Sequence, residues 1–218
     1  MLKRDKNGFI CQHDPNDPNY MDGGDTARIT GLMALLDSMP DQLLLPQFEV
    51  SPGEYTRHPR QAPWNNPGNF TRDQLTCYVA GLWKAGRHDI AKRALYGVLK
   101  RGLRAQNVEK DYPGTKKTFP DGADFIGPDV LWHLILCAKA YHLYIFAPIG
   151  YFFQFLSLLY NVTLGADKEQ NQFYCMARVS GLEKLYKALY PNFNKNMESY
   201  WGGWRDQMEV ASEIQKRG

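Results

Sequence analysis

The stretch from Thr71 to Leu99 constrains the fold most, because it carries the signals of two helices joined by a tight turn. Thr71 followed by Gln74 is a capping box, a typical helix start, and Gly86 has the position of a glycine that ends a helix in left-handed backbone. Apolar residues recur on either side of Gly86 at the three- and four-residue spacing of one buried helix face: Leu75, Tyr78, Val79, Leu82 and Trp83, then Ile90, Ala94, Leu95, Val98 and Leu99. The sequence therefore predicts an α-hairpin here.

The same helical period covers most of the remaining chain, and no stretch alternates polar and apolar residues over the length of a strand. Further predicted helices run from Asp25 or Thr26 to Pro40, from Pro128 at the first helical position to about residue 146, onward to Gly165, and over roughly 168–189 and 194–215. A chain of 218 residues fits one domain. We therefore expect a single all-α domain, residues 1–218, of helical hairpins with long irregular loops and an irregular segment at 1–24.

The segment Leu143–Leu164 contains no charged residue and is long enough to cross a bilayer. In one interpretation it is a membrane-associated helix. In the other it is a pair of buried helices that meet at Pro148, with Gln154, Ser157 and Asn161 as a polar stripe in a soluble bundle. The periodicity favours the buried interpretation.

Charge and cysteine placement argue against some classes of protein. The net charge is only +3, and the sequence has neither a basic stripe nor a known nucleic-acid-binding motif, so no nucleic-acid partner is expected. The four cysteines lie far apart without the spacing of a zinc site. Cys77 and Cys137 lie within apolar helical patterns, so we expect them to be buried free thiols. The first residues lack the apolar run of a signal peptide, so we expect a cytoplasmic protein.

Acidic and basic side chains concentrate in three loops, residues 22–28, 55–73 and 121–129, which each lead into a predicted helix. If successive hairpins pack side by side, alternate helix N-termini lie at one end of the bundle, and these loops form one polar cleft. Two carboxylates across a cleft can act as general acid and base in glycoside hydrolysis, while aromatic rings stack on sugars. The candidate catalytic residues are Asp25 and Asp73, with Asp22 and Asp129 as substitutes in these roles, and the candidate substrate-binding residues are Arg28, Arg57, His58, Trp64 and Arg72.

Two other interpretations of these acids stay open. Carboxylates near a helix N-terminus stabilise the helix dipole and cap its amide groups, which explains the residue type without a ligand. The acids within residues 14–25 are also hard oxygen ligands suited to calcium, but their spacing misses the EF-hand pattern. We therefore expect no metal ion and no cofactor.

Four short blocks of the sequence stand out: DGGDTA at 22–27, Arg57–Pro59, Asn69–Leu75 with its RDQL sequence, and Gly127–Asp129. In these blocks the chain resembles an uncharacterised group of phage and bacterial proteins, which look like relatives of the α/α-toroid, six-hairpin glycosidase-like class. The resemblance implies an α/α toroid, incomplete because the chain is short, with acids in the loops that begin helices. It also implies a phage-associated protein of the host cytoplasm or the virion.

The sequence supports two hypotheses of function. The leading one is a carbohydrate-processing or carbohydrate-binding, phage-associated protein whose partner is a glycan. The alternative is a non-enzymatic structural or membrane-active phage component, in which aspartates and arginines form a structural network around the long loop. In that case the segment 143–164 contacts a bilayer or another virion component.

Overall fold

A computed structural model describes residues 4–10, 26–59, 69–107, 125–164 and 170–189, and the structural statements below concern these ranges. Within them the chain is mainly helical, as the sequence predicts. The α-helices are α1 (Thr26–Leu35), α2 (Met39–Leu44), α3 (Arg72–Lys84), α4 (His88–Lys100), α5 (Pro128–Ala138), α6 (Ala147–Leu164), α7 (Gln170–Val179) and α8 (Glu183–Leu189). Two 3₁₀ helices, Leu45–Phe48 and Tyr141–Phe146, precede β1 and α6. Two antiparallel pairs join β1 (Glu49–Ser51) to β2 (Glu54–Tyr55) and β3 (Asn69–Phe70) to β4 (Gln106–Asn107).

The predicted hairpin of α3 and α4 is confirmed. Thr71 is the residue before α3, and Gly86 lies in the turn with a φ of 71°, the left-handed backbone that favours glycine. The two apolar stripes are buried, apart from Trp83 and Leu99 at their edges. The apolar spacing and the turn glycine are therefore the local signals that predict this hairpin.

The helices α1 and α3 run in the same direction at very short range. Arg28 lies beside Gln74 near the start of both helices, and Gly31 lies beside Cys77 one turn further along. A Cβ atom on Gly31 would stand 2.3 Å from the carbonyl oxygen of Cys77, and one on Gly81 would stand 2.7 Å from the carbonyl oxygen of Gly31. The absence of a side chain at these two glycines allows the backbones to touch.

The later helices alternate in direction. His88 at the start of α4 contacts the carbonyl oxygen of Cys137 at the end of α5, so these two helices are antiparallel. The helix α6 returns along α5, because its early residue Gly150 lies against Trp132 and its later residue Ser157 bonds to Asp129. Phe173 near the start of α7 lines the same cleft as Ser157, so α7 reverses again. The helices α1, α3, α5 and α7 thus point the same way, with their N-termini at one end.

One continuous apolar core holds these helices together, and α3 lies at its centre in contact with α1, α4, α5 and α7. Among the described residues, Cys77, Cys137 and Cys175 are free cysteines in this core, and burial was predicted for the first two. His133 is fully buried between α5 and α3, where its Nε2 lies 3.0 Å from the carbonyl oxygen of Thr76.

Several predicted boundaries differ from the structure. The first helix ends at Leu35, and Pro40 belongs to the first turn of α2 instead of ending α1. The helix predicted to reach residue 146 ends at Ala138, because Lys139 adopts left-handed backbone with a φ of 48°. The pattern at 168–189 is two helices, separated at Gly181 with a φ of 76°. The pattern at 194–215 lies outside the described residues.

The apolar segment after α5 is not a pair of buried helices, so that prediction is wrong. The helix α6 passes without a break through Pro148 and Gly150, since the proline occupies its first turn and the glycine accommodates the ring of Trp132. Among the 20 residues Tyr141–Tyr160, the buried ones are Gly150, Gln154 and Leu158, although the stretch is long and apolar enough to cross a membrane. Most of this apolar surface therefore faces outward.

Candidate functional site

The carboxylate of Asp73 lies in the first turn of α3 and faces α1. The Arg28 Nη1 atom is 3.3 Å from Asp73 Oδ2, and the hydroxyl of Thr71 donates to Oδ1. Burial raises the pKa of Asp73, but Arg28, the Thr71 hydroxyl, Arg57 and the Gln74 amide lower it by more, so the pKa lies below its usual value. The group is ionised at neutral pH, which suits an ion pair, a base or a nucleophile and does not suit a general acid.

The side chains of the predicted capping box bond elsewhere. The Thr71 hydroxyl forms no cap bond to the helix and contacts Asp73 instead. The Oε1 atom of Gln74 accepts a hydrogen bond of 3.0 Å from the backbone N–H of Arg28. Both residues therefore join α3 to its neighbours, a tertiary role that sequence spacing does not reveal.

Arg57 attaches the long loop before α3 to two helix starts. Its Nη2 donates to Thr71 Oγ1 at 3.2 Å, and its carbonyl oxygen accepts from the backbone N–H of Ala27 at 3.1 Å. Arg72, at the first position of α3, is partly buried. Arg28, Arg57, Arg72 and Asp73 thus lie together at the N-terminal ends of α1 and α3.

Further buried contacts hold the same loop against α4. Arg93 forms a two-point ion pair with Glu49, with Nη2 2.6 Å from Oε2. The hydroxyl of Tyr55 donates to the carbonyl oxygen of Ile90 at 3.2 Å. The side chain of Gln106 accepts from the N–H of Tyr55 and donates to its carbonyl oxygen, at 2.9 and 3.1 Å. The sequence analysis did not identify Gln106 or Glu49, because neither has a local motif.

His58 faces away from Asp73. It is buried, its Nε2 atom lies 3.3 Å from Asp5 Oδ2, and its ring packs at 5.1 Å from the ring of Phe9. Burial lowers the pKa of His58 by more than Asp5 raises it. This imidazole therefore connects the N-terminal segment to the loop and does not join the Asp73 cluster.

Asp129 lies in the first turn of α5, at the same end of the bundle as Asp73. The hydroxyl of Ser157 donates to Asp129 Oδ2 at 2.7 Å, and Gln154 Nε2 donates to the backbone oxygen of Asp129 at 3.2 Å. Two polar residues of α6 thus converge on one acid of α5. Gln154 and Ser157, two of the three residues of the polar stripe predicted on α6, thus lie on the side of α6 that contacts α5.

Several of the predicted residues lie outside the described ranges: Asp22, Asp25, Trp64 and the acids considered for calcium. The structure therefore brings together Asp73 with three of the predicted arginines, places Asp129 at the same end, and separates His58 from them.

The outward surface of α6 and of the preceding 3₁₀ helix is a second candidate site. It is apolar and aromatic, with Ile145 81%, Tyr141 67% and Tyr160 63% exposed. Other exposed residues on it are Phe146, Ile149, Tyr151, Phe152, Phe153, Phe155 and Leu156. Contiguous apolar surface of this kind marks interaction sites in soluble proteins. We call it the α6 face.

Comparison with known proteins gives no match to a family model, a curated protein or a solved structure. The function must therefore be inferred from the geometry of these two sites.

Proposed function

We propose that this protein is a non-enzymatic structural domain that presents the α6 face to an apolar partner. The observation that carries the proposal is the exposure of this face: the buried residues of the stretch Tyr141–Tyr160, which contains no acidic residue, lysine or arginine, are Gly150, Gln154 and Leu158. An apolar helix exposed to this extent is costly in water, at about 25 cal/mol for each Å². Such a surface is expected where a partner covers it.

The geometry around Asp73 supports the same proposal. The carboxylate is paired with Arg28 and bonded to Thr71, and Arg57 connects that hydroxyl to the long loop. Together with the Glu49–Arg93 pair, these contacts fix the loop on the helices. The aspartates and arginines are then a structural network. The resemblance to phage and bacterial proteins would make the partner a membrane or another virion component.

The proposal is tested by the binding of the dye 8-anilinonaphthalene sulfonate to the folded protein, well below its melting midpoint. We expect wild type to bind the dye and the double variant Ile145→Glu, Phe152→Glu to lose most of that binding with an unchanged midpoint. The matched control is Leu43→Glu, because Leu43 on α2 is 73% exposed and lies outside the α6 face. A folded wild type that binds no dye would contradict the proposal.

We propose carbohydrate processing or binding as the second candidate function, on an incomplete α/α toroid. Its specific support is that α1, α3 and α5 are parallel neighbours, so Asp73 and Asp129 start adjacent helices at one end. Acids in the loops that begin helices are what the toroid resemblance implies. Asp73 would act as base or nucleophile, and Asp129 or Asp25 would act as the acid.

A glycan-binding screen followed by a turnover assay tests this second candidate. We expect Asp73→Asn and Asp129→Asn each to abolish turnover of a glycan that wild type cleaves. Asp89→Asn, which changes an exposed acid of α4, is the control and should keep full activity. Retained turnover in both of the first two variants would exclude these residues as the catalytic pair.

A further inference from the structure

We infer that the occupant of the α6 face is a lipid bilayer, and that α6 lies along the membrane surface instead of crossing it. This inference rests on the proposed function, because it names the partner of the same face.

The α6 face surrounds too much of the helix for one protein partner. Successive helix residues are rotated by about 100°, so the buried residues Gly150, Gln154 and Leu158 occupy about 80° of the circumference. The exposed apolar side chains of α6 spread over about 200° of the circumference, between the directions of Tyr151 and Phe153. Two of them, Leu156 and Tyr160, border the cleft that Phe173 of α7 also lines. A neighbouring helix packs against one side only. Lipid chains, in contrast, contact every outward side of an immersed helix.

The amount of apolar surface leads to the same occupant. The exposed aromatic and aliphatic side chains of the face amount to on the order of 1,000 Å², if each ring has about 200 Å² to bury. The largest apolar patch of a typical monomer is about 300–600 Å². A stable dimer needs about 800 Å² on each partner. Because the α6 face wraps around a helix, a second copy can cover only part of its area.

Residue types along the face match a membrane interface. Tyr141 and Tyr160 stand at its two ends, and the exposed phenylalanines lie between them. Tyrosine is favoured where apolar chains meet headgroups. Lys139, directly before the face, is exposed and forms no ion pair within the described residues, so its charge is available to anionic lipid headgroups.

The attachment of α6 to α5 excludes a crossing orientation. Gly150 packs on Trp132, and Ser157 bonds to Asp129, so α5 would follow α6 into the hydrocarbon. The helix α4, which also packs on α5, would follow as well, with the exposed Lys92 and Lys100. Charges are costly inside a bilayer. When α6 lies flat, its apolar side is immersed in the membrane interface. The rest of the domain stays in water, as the charged face of an amphipathic surface helix does.

Flotation of the full chain with phosphatidylcholine vesicles, with and without phosphatidylglycerol, tests the occupant. We expect wild type and Leu43→Glu to float with the vesicles. The double variant Ile145→Glu, Phe152→Glu should bind at least about tenfold less, with an unchanged melting midpoint. Lys139→Glu should weaken binding only to the vesicles that contain phosphatidylglycerol.

The orientation is tested with single cysteines, Tyr141→Cys and Tyr160→Cys, in a Cys11→Ser background, since the other three cysteines are buried. A membrane-impermeant maleimide added outside the vesicles should label both positions if α6 lies flat. Labelling of only one position would show a crossing helix and overturn this part of the inference.

Three outcomes of the flotation experiment would contradict the inference that a bilayer covers the α6 face. Wild type that binds the dye but no vesicle, and forms a discrete dimer that the double variant loses, would identify a second copy as the occupant and leave the proposed function intact. Equal loss of flotation in Leu43→Glu would show non-specific adsorption. A strongly lowered midpoint of the double variant without vesicle binding would show that the chain itself covers the face, which would also contradict the proposed function.

Discussion

The carboxylate of Asp73 lies between the Arg28 guanidinium and the Thr71 hydroxyl, and this position decides how it responds to substitution. Asp73→Asn keeps the shape and leaves Arg28, 12% exposed, without its charged partner. We expect the free energy of unfolding to fall by about 2 kcal/mol. The decrease is smaller than for a fully buried pair, because Asp73 is 29% exposed. Thermal unfolding should show a midpoint lower by about 5 °C.

Asp89→Asn is the matched control for this prediction. Asp89 also pairs with arginines, but its side chain is 54% exposed, so we expect a change of less than about 0.5 kcal/mol. A midpoint for Asp73→Asn that equals or exceeds that of wild type would count against the structural network. Such a result would favour the carbohydrate hypothesis, because active-site residues often lower the stability of the folded protein.

The buried imidazole of His133 makes stability depend on pH. Burial lowers the pKa of His133 to about 4, although the bond to Thr76 and the charge of Asp129 act in the opposite direction. In the unfolded chain a histidine has a pKa of about 6.5. Between these values the unfolded state binds a proton that the folded state does not bind, so stability falls as the pH is lowered from about 6.5 to about 4. Over this pH interval the free energy of unfolding falls by about 3 kcal/mol at most.

His133→Gln can keep a hydrogen bond to the Thr76 oxygen and cannot titrate. We expect its free energy of unfolding, measured with denaturant, to depend much less on pH between 4 and 6.5 than that of wild type. Some dependence should persist, because the pKa of His58 is lowered as well. The exposed residue His142 provides the control His142→Gln. An identical pH profile for wild type and His133→Gln would show that this imidazole is not the cause.

At the scale of elements, the close contact of α1 and α3 depends on glycine at position 31. A Cβ atom there would lie 2.3 Å from backbone, which cannot move without separating the helices. We expect Gly31→Ala to lower the free energy of unfolding by about 3 kcal/mol, although alanine is the better helix former. Chemical denaturation monitored by circular dichroism measures the change.

Gly97→Ala is the comparison on α4. Its Cβ atom would lie 3.0 Å from the carbonyl oxygen of Gly53, so a shift of a few tenths of an ångström relieves the contact. We expect Gly97→Ala to lower the free energy of unfolding by about 1 kcal/mol or less. Equal effects of the two substitutions would mean that α1 and α3 can separate at little cost.

At the scale of the whole molecule, one apolar core links the first described segment to α8 through α3. A continuous core of this kind favours a single cooperative transition. We therefore expect the unfolding curves from fluorescence and from circular dichroism to coincide, and the calorimetric and van't Hoff enthalpies to agree. Two separate transitions would show that the α5–α6 half folds independently of the α1–α3 half.

Local signals were enough to predict much of the helical fold. The glycine at 86 and the proline at 128 act on the backbone within a few residues, and the apolar spacing on either side of Gly86 is local as well. The α3–α4 hairpin and the start of α5 could therefore be derived from the sequence. The absence of charge after residue 140 also identified the segment that forms the α6 face. The ends at Leu35 and Ala138 were missed, because a single turn residue ends a helix whose apolar pattern continues.

Only the tertiary structure decided what the functional side chains contact. The carboxylate of Asp73 meets an arginine 45 positions away, and the amide of Gln74 bonds to α1 instead of capping its own helix. Whether α6 is buried depends on how many neighbours pack around it, which no local pattern records. The sequence determined that this helix is apolar. The packing of α5 along one side, with further contacts from α7 and α8, left most of its apolar residues exposed.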